Sequence, residues 1–256
     1  MTTVRLLTLA RDLQRRKARE RTSNFVAEGV RTVEELLRSN LAIDGALVSA
    51  SLDLTPRGSA LREALAERGA ETAEVSESDF ATAAQTESPQ GVLAIGVIPE
   101  WAWADVALEP PVRLLVLDAV QDPGNAGTML RTAAALGVTA TVALSGTVDL
   151  WNAKVVRSAV GTHFSHPALM TTWAEFDDWR GAHGVALWGA DARGEALPST
   201  APGSSDRLAL VVGNEGAGLS ADAVARADRL VAVPVRGVES LNVAVAAGIL
   251  LYELRR

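Results

Sequence analysis

Cysteine is absent from the 256 residues, which excludes disulfides, thiolate metal sites and a cysteine nucleophile. Histidine occurs three times; His163 and His166 lie three apart, but no acidic or thiol partner nearby completes a ligand set, so no metal is expected. No apolar run approaches the roughly 18 residues that a membrane span needs. The N-terminal Met-Thr-Thr-Val-Arg has no apolar signal core, so a soluble, cytoplasmic protein without a membrane partner is expected. Aromatic residues make up only 4 %, and the six tryptophans (101, 103, 151, 173, 179, 188) are scattered as core or interface residues would be. The phosphate cradles of ordinary nucleotide enzymes are missing too. There is no Gly-x-x-x-x-Gly-Lys-Ser/Thr, and Gly213, Gly216 and Gly218 stand in the wrong order for Gly-x-Gly-x-x-Gly.

What is present is a packed globular chain, 48 % apolar and 21 % charged. Its net charge of −7 is unevenly spread: residues 1–38 hold nine Lys/Arg against five Asp/Glu, the remainder 15 against 26. Arg11, Arg15, Arg16, Lys17, Arg19 and Arg21 form a tight basic cluster. It reads either as a solvated helix face or as a phosphate-binding surface.

Leu6, Leu9 and Leu13 predict an amphipathic helix over 4–17. Alternating short strands (25–29, 45–50, 70–75, 90–98) and helices (30–37, 59–68, 79–84) predict a first α/β domain over 1–97. Residues 98–111, with three prolines and no periodicity, read as a linker. Within 112–256, Arg113–Asp118 is a near-continuous apolar run, as in a strand buried on both faces of a parallel sheet. Helices are expected at 125–136 and 152–160, and strands at 139–144, 185–189, 208–213 and 230–233. The last stretch, from Asn242, is an apolar helix of small residues closed by Arg255 and Arg256, which suit its negative end.

Three polar, glycine-rich loops follow buried strands: 118–133, 212–219 and 234–242. Ligands bind beyond strand carboxyl ends in open parallel sheets, so the three are expected to converge on one site. Taken singly, Asn125 and Asn242 could be helix caps, Ser240 a turn residue and Glu215 a surface carboxylate.

The loops together resemble the three signature motifs of the SpoU/TrmH family of RNA ribose 2′-O-methyltransferases. The first resembles Asn-x-Gly-x-x-x-Arg-Thr-Ala (Asn125, Gly127, Arg131, Thr132, Ala133) and the second Gly-x-Glu-Gly-x-Gly (Gly213, Glu215, Gly216, Gly218). The third, from Pro234 to Ala246, resembles Pro-x-x-Gly-x-x-x-Ser-Leu-Asn-Val-x-Val-Ala. The segment 152–161, with Lys154, Arg157, Ser158 and Gly161, is also similar to the family, and residues 1–97 resemble its N-terminal domain related to ribosomal proteins.

The resemblance implies an α/β fold with a trefoil-knotted, parallel-sheet (SPOUT) domain at the C-terminus and a smaller N-terminal substrate-binding domain. It implies a homodimer and S-adenosylmethionine as methyl donor, contacted at Gly189, Gly213, Val233 and Leu241. Asn125, Arg131, Glu215, Ser240 and Asn242 become the catalytic set, and the basic residues 11–21 bind RNA. A guanidinium keeps its proton near neutrality, so Arg131 is expected to clamp an RNA phosphate, leaving Glu215 or a substrate phosphate as proton acceptor. The substrate implied is structured RNA, with rRNA favoured over tRNA. The alternative is an RNA-binding or ribosome-assembly factor that keeps the fold without the activity.

Overall fold

The computed structural model describes residues 2–197 and 206–255; Arg256 lies outside them. In chain order the first hundred residues form α1 (Thr3–Asp12), α2 (Arg16–Thr22), β1 (Asn24–Glu28), α3 (Val30–Arg38), β2 (Ile43–Val48), α4 (Pro56–Glu67), β3 (Thr72–Glu74), α5 (Glu77–Ala83) and β4 (Val92–Val97). Next come β5 (Val112–Leu117), α6 (Pro123–Ala135), β6 (Ala140–Leu144), α7 (Ala153–Ser158), β7 (Ala168–Thr171) and α8 (Trp173–His183). The chain closes with β8 (Ala186–Ala196), β9 (Arg207–Val212), α9 (Ala221–Arg226), β10 (Arg229–Ala232) and α10 (Val243–Leu254). Two compact units result: Met1–Glu100 with Trp151–Ser165, and Trp101–Leu150 with His166–Arg256.

The first unit has a four-stranded sheet in the order β1-β4-β2-β3, β4 antiparallel to both neighbours and β2 parallel to β3. The helix expected over 4–17 is two helices, α1 and α2. Arg19 accounts for the break: its side chain, 3 % exposed, donates from Nη1 to Leu13 O (2.7 Å) and Gln14 O (3.1 Å). A buried guanidinium there satisfies carbonyls left over where α1 ends.

Residues 151–165, expected in the second domain, belong to the first unit. Trp151 packs on Phe25 with ring centroids 4.7 Å apart, and Ala153 joins the core that holds Leu6, Leu47 and Phe80. Arg157 forms a 3.5 Å ion pair with the buried Glu28, which also accepts from Gln85 N, Thr86 N and Thr86 Oγ1. The supposed linker is likewise packed structure. Trp101 and Trp103 lie on the core of the second unit, Trp103 stacked on Trp179 at 4.6 Å.

The second unit is built on six parallel strands in the order β10-β8-β9-β5-β6-β7. Every residue of β5 is buried, Arg113 included, as a near-continuous apolar run requires when helices cover both faces. Three elements were not foreseen: β7, α8 and α9. For α8 a signal existed, since Thr172 and Glu175 form a reciprocal capping box. α10 packs on α6, where Gly248 allows close approach: a Cβ there would meet Thr132 Cγ2 at 3.4 Å. Its C-terminal carbonyl at Leu254 is taken by the buried Arg113, Nε to O 2.8 Å. Arg255 instead lies over the Tyr252 ring at 3.6 Å.

Candidate active site

The strand order turns at β5 and β9, with β6 and β7 to one side and β8 and β10 to the other. Loops leaving the carboxyl ends of these two strands border the crevice where open α/β sheets hold ligands. Asp122 caps α6, accepting from Asn125 N at 2.8 Å, and Pro123 fills the first helical position. Asn125 is therefore not the cap, and its amide is free to point into the site.

Asn125 Nδ2 donates to Glu215 Oε1 at 3.1 Å, and Asn125 Oδ1 accepts from Asn242 Nδ2 at 3.0 Å. Asn242 Oδ1 accepts from Ala244 N (2.9 Å) and Val245 N (3.3 Å), capping α10. Helix N–H groups only donate, so Asn242 must turn its oxygen to them and its NH₂ to Asn125. Asn125 must then turn its NH₂ to the carboxylate. The orientation of both amides follows from the network.

Glu215 also accepts from Gln121 N (3.3 Å) and Asp122 N (3.2 Å). Burial acts to raise its pKa, but its own N–H, the Asn125 amide and the N–H groups of Gln121 and Asp122 outweigh this and hold it below the ordinary 4.5. These donors favour the ionised form of Glu215. Through Oε1 it holds the Asn125 amide.

The other expected residues are placed less tightly. Arg131 lies six positions along α6 from Asn125, exposed, and no ion pair engages it among the described residues. Ser240 is exposed on the loop before α10 and takes no part in the Glu215–Asn125–Asn242 chain. Gly213 opens the loop after β9, and a Cβ there would lie 2.2 Å from Gly218 O. Gly189 in β8 sits beneath Leu219 and Leu230, each 2.8 Å from where its Cβ would be. Val233 and Leu241, both half-buried, bracket the irregular segment between β10 and α10. Residues missed by motif matching are Gln121, Asp122, Asp118 and Asn214. For Asp122-Pro123 the helix-start pattern was available as a signal, and for Asn214 the turn preference of Asn beside Gly.

In the first unit the basic cluster separates into different roles. Arg15, Arg16, Lys17 and Arg21 are exposed, with Arg15 paired to Asp12 (2.8 Å) and Arg16 to Glu20 (2.7 Å). Arg11 is half-buried between Asp79 (3.5 Å) and Thr82 (2.7 Å). Arg19 is a correction: it is buried structure, unavailable to a phosphate. Among the described residues no three His, Cys, Asp or Glu side chains cluster as a metal site. His166 bonds Thr141 Oγ1 at 3.0 Å and is pushed down to about 4 by burial, so it is neutral near pH 7. Nor is any helix of the described residues long and apolar enough to cross a membrane.

Residues 113–252 match the SpoU rRNA Methylase family, and residues 8–94 match the MRM3-like substrate binding domain. The chain is 40 % identical over 244 residues to the 23S rRNA (guanosine(2553)-2′-O)-methyltransferase RlmP of Bacillus subtilis (strain 168), covering 95 % of this chain and 93 % of RlmP. Among solved structures, the AdoMet-bound rRNA methyltransferase from Sinorhizobium meliloti superposes with a TM-score of 0.85 at 29 % identity, covering 100 % of this chain and 96 % of that one. The SpoU methyltransferase AviRb from Streptomyces viridochromogenes, in complex with AdoMet, gives 0.87 at 27 % identity, covering 98 % and 97 %. With its three motif loops gathered at the end of one parallel sheet and the family match spanning that sheet, the chain belongs to the SpoU rRNA methylase family.

Proposed function

We propose that the chain transfers a methyl group from S-adenosylmethionine to a ribose 2′-hydroxyl of structured RNA, and that this RNA is 23S rRNA. The observation that carries the reading is the Glu215–Asn125–Asn242 chain, which links all three motif loops through amides of dictated orientation. The 23S rRNA assignment is supported by the likeness to RlmP, which extends over both units.

The residues suit S-adenosylmethionine. Gly189 lets Leu219 and Leu230 crowd the β8 backbone as an apolar wall, and half-buried Val233 and Leu241 flank an irregular segment whose backbone groups can serve a polar ligand. The bound cofactor supplies an electrophilic methyl group on a sulfonium. Asn125 and Asn242 each retain one amide N–H beyond the network to hold a ribose or phosphate oxygen. Arg131 grips the neighbouring RNA phosphate as a fork and aligns the hydroxyl. With Glu215 committed to N–H donors, the proton passes to a substrate phosphate oxygen.

Exposed Arg15, Arg16, Lys17 and Arg21 supply sequence-independent phosphate contacts. The segment before α10 is threaded as a trefoil knot, and a second copy covers the apolar stripe of α10, making a homodimer. An rRNA substrate is consistent with work in the cytoplasm. The test is transfer of tritium from labelled S-adenosylmethionine to 23S rRNA by wild type, Arg131→Lys and Arg131→Ala. Wild type is expected to label the RNA in the ribose, and both variants to fall by about a hundredfold. Label in tRNA alone reassigns the substrate; none in any RNA favours an assembly factor. A fully active Arg131→Lys ends the fork argument.

A further inference from the structure

We propose that Asn214 is a positioning residue, tying the loop after β9 to the loop after β5 so that Glu215 meets Asn125. This rests on the methyltransferase reading above. Asn214 engages its backbone and both ends of its side chain. Its N–H donates to Gly218 O and its carbonyl accepts from Gly218 N, both at 2.9 Å, closing residues 214–218 into a ring. Its Oδ1 accepts from Gly216 N (2.9 Å) and Ala217 N (3.0 Å), an Asx turn inside that ring. Its Nδ2 reaches out of the ring to Ala119 O at 3.0 Å.

The ring is stiff and needs Gly213 for its own closure, given the 2.2 Å approach of Gly218 O. It is therefore held as a body by its tethers. One is Asn214 Nδ2. Another, just past the ring, is Asp118, whose carboxylate is 3 % exposed and accepts from Ser220 N at 2.8 Å. Between Asp118 and the Glu215 donors sits Ala119 at φ 56°, a left-handed conformation that a non-glycine residue keeps only when its surroundings over-determine it. Glu215 follows Asn214 directly, and all its cross-loop donors (Gln121 N, Asp122 N and Asn125 Nδ2) come from the β5 side. If the tether is cut, the ring can swing and the carboxylate leaves the donors that define its place.

Asparagine is the residue type this geometry asks for, with an acceptor for the ring amides and a donor for the opposite carbonyl. Aspartate keeps the acceptor and sets a second oxygen against Ala119 O. Serine keeps a short acceptor, adds no charge and cannot reach Ala119. The experiment measures kcat and KM on 23S rRNA for Asn214→Asp and Asn214→Ser in the full chain, alone and combined with Glu215→Gln. Each single variant is expected to lose about a hundredfold in kcat with KM for RNA nearly unchanged. Combined with Glu215→Gln, either should add no more than about a twofold loss, because no carboxylate remains to be positioned. Fully additive losses, or a change in KM alone, would overturn the proposal. A second readout is the titration of the Glu215 carboxyl by carbon NMR in Asn214→Ser. A rise toward 4.5 supports the tether, and an unchanged titration refutes it. That readout stands even if wild type methylates no RNA, an outcome that removes the methyltransferase reading instead.

Discussion

Glu215 is surrounded by N–H groups, and no ion pair engages it among the described residues. Its charge is balanced by dipoles, those of Gln121, Asp122 and the Asn125 amide, and this decides what a substitution does. Glu215→Gln keeps the shape but must turn an NH₂ toward groups that themselves donate. Since the folded pKa lies below the ordinary 4.5, the carboxylate's contribution to stability is complete above the unfolded value and is lost as pH falls through the folded one. Thermal unfolding of wild type and Glu215→Gln should therefore differ most near neutrality and converge well below pH 4.5. A gap that does not change between pH 7 and pH 3 would contradict this. At this scale the sequence is legible where a motif names a residue and opaque where a residue's direction matters. Asn125, Glu215 and Asn242 are identifiable from their loops. Arg19 is not, because a basic residue among basic residues carries no mark of facing inward; its bonds to the Leu13 and Gln14 carbonyls are evident only in the fold. Asn214 escapes for a different reason. Its work is done across 95 residues of chain, at the Ala119 carbonyl.

α10 shows how an element's role follows from both of its faces. Ala244, Ala247, Leu250, Leu251 and Leu254 are buried within the unit, while Val245 (51 % exposed), Ile249 (40 %) and Tyr252 (42 %) line the outer face. A helix apolar all round is normally covered all round. Under the homodimer proposal the outer stripe is the covered face, and the small residues serve the packing on α6. Val245→Glu with Ile249→Glu should leave the helix content intact and shift sedimentation from dimer to monomer. Gly248→Val should do the reverse, keeping the outer face but pressing on Thr132 and costing about 1–3 kcal/mol in unfolding stability. A monomer in wild type, or an unchanged dimer in the double variant, would remove the stripe from the interface. Buried strands and continuous apolar helices of this kind can be read from sequence, since their patterns are local. β7, only four residues long and with Met170 exposed, lacks such a pattern, and its pairing with β6 supplies what the residues alone do not.

In the whole molecule, the chain divides into two compact units that carry different features. The second unit gathers the three motif loops at one end of a parallel sheet. The first carries the exposed Arg15, Arg16, Lys17 and Arg21, and draws in residues 151–165 through Phe25, Glu28 and the core around Phe80. That excursion is invisible to a boundary search by composition, because it is defined by which core Trp151 and Ala153 enter. Under the proposed function, these units together methylate a 23S rRNA ribose through the Glu215–Asn125–Asn242 chain. The most direct test is a map of ribose 2′-O-methylation in total RNA from cells lacking the gene, complemented with wild type or with Asn242→Ala. One 23S rRNA position is expected to lose its methyl group and to regain it with wild type but not with Asn242→Ala. An unchanged 23S rRNA map in the deleted strain, or full restoration by Asn242→Ala, would contradict the proposed function.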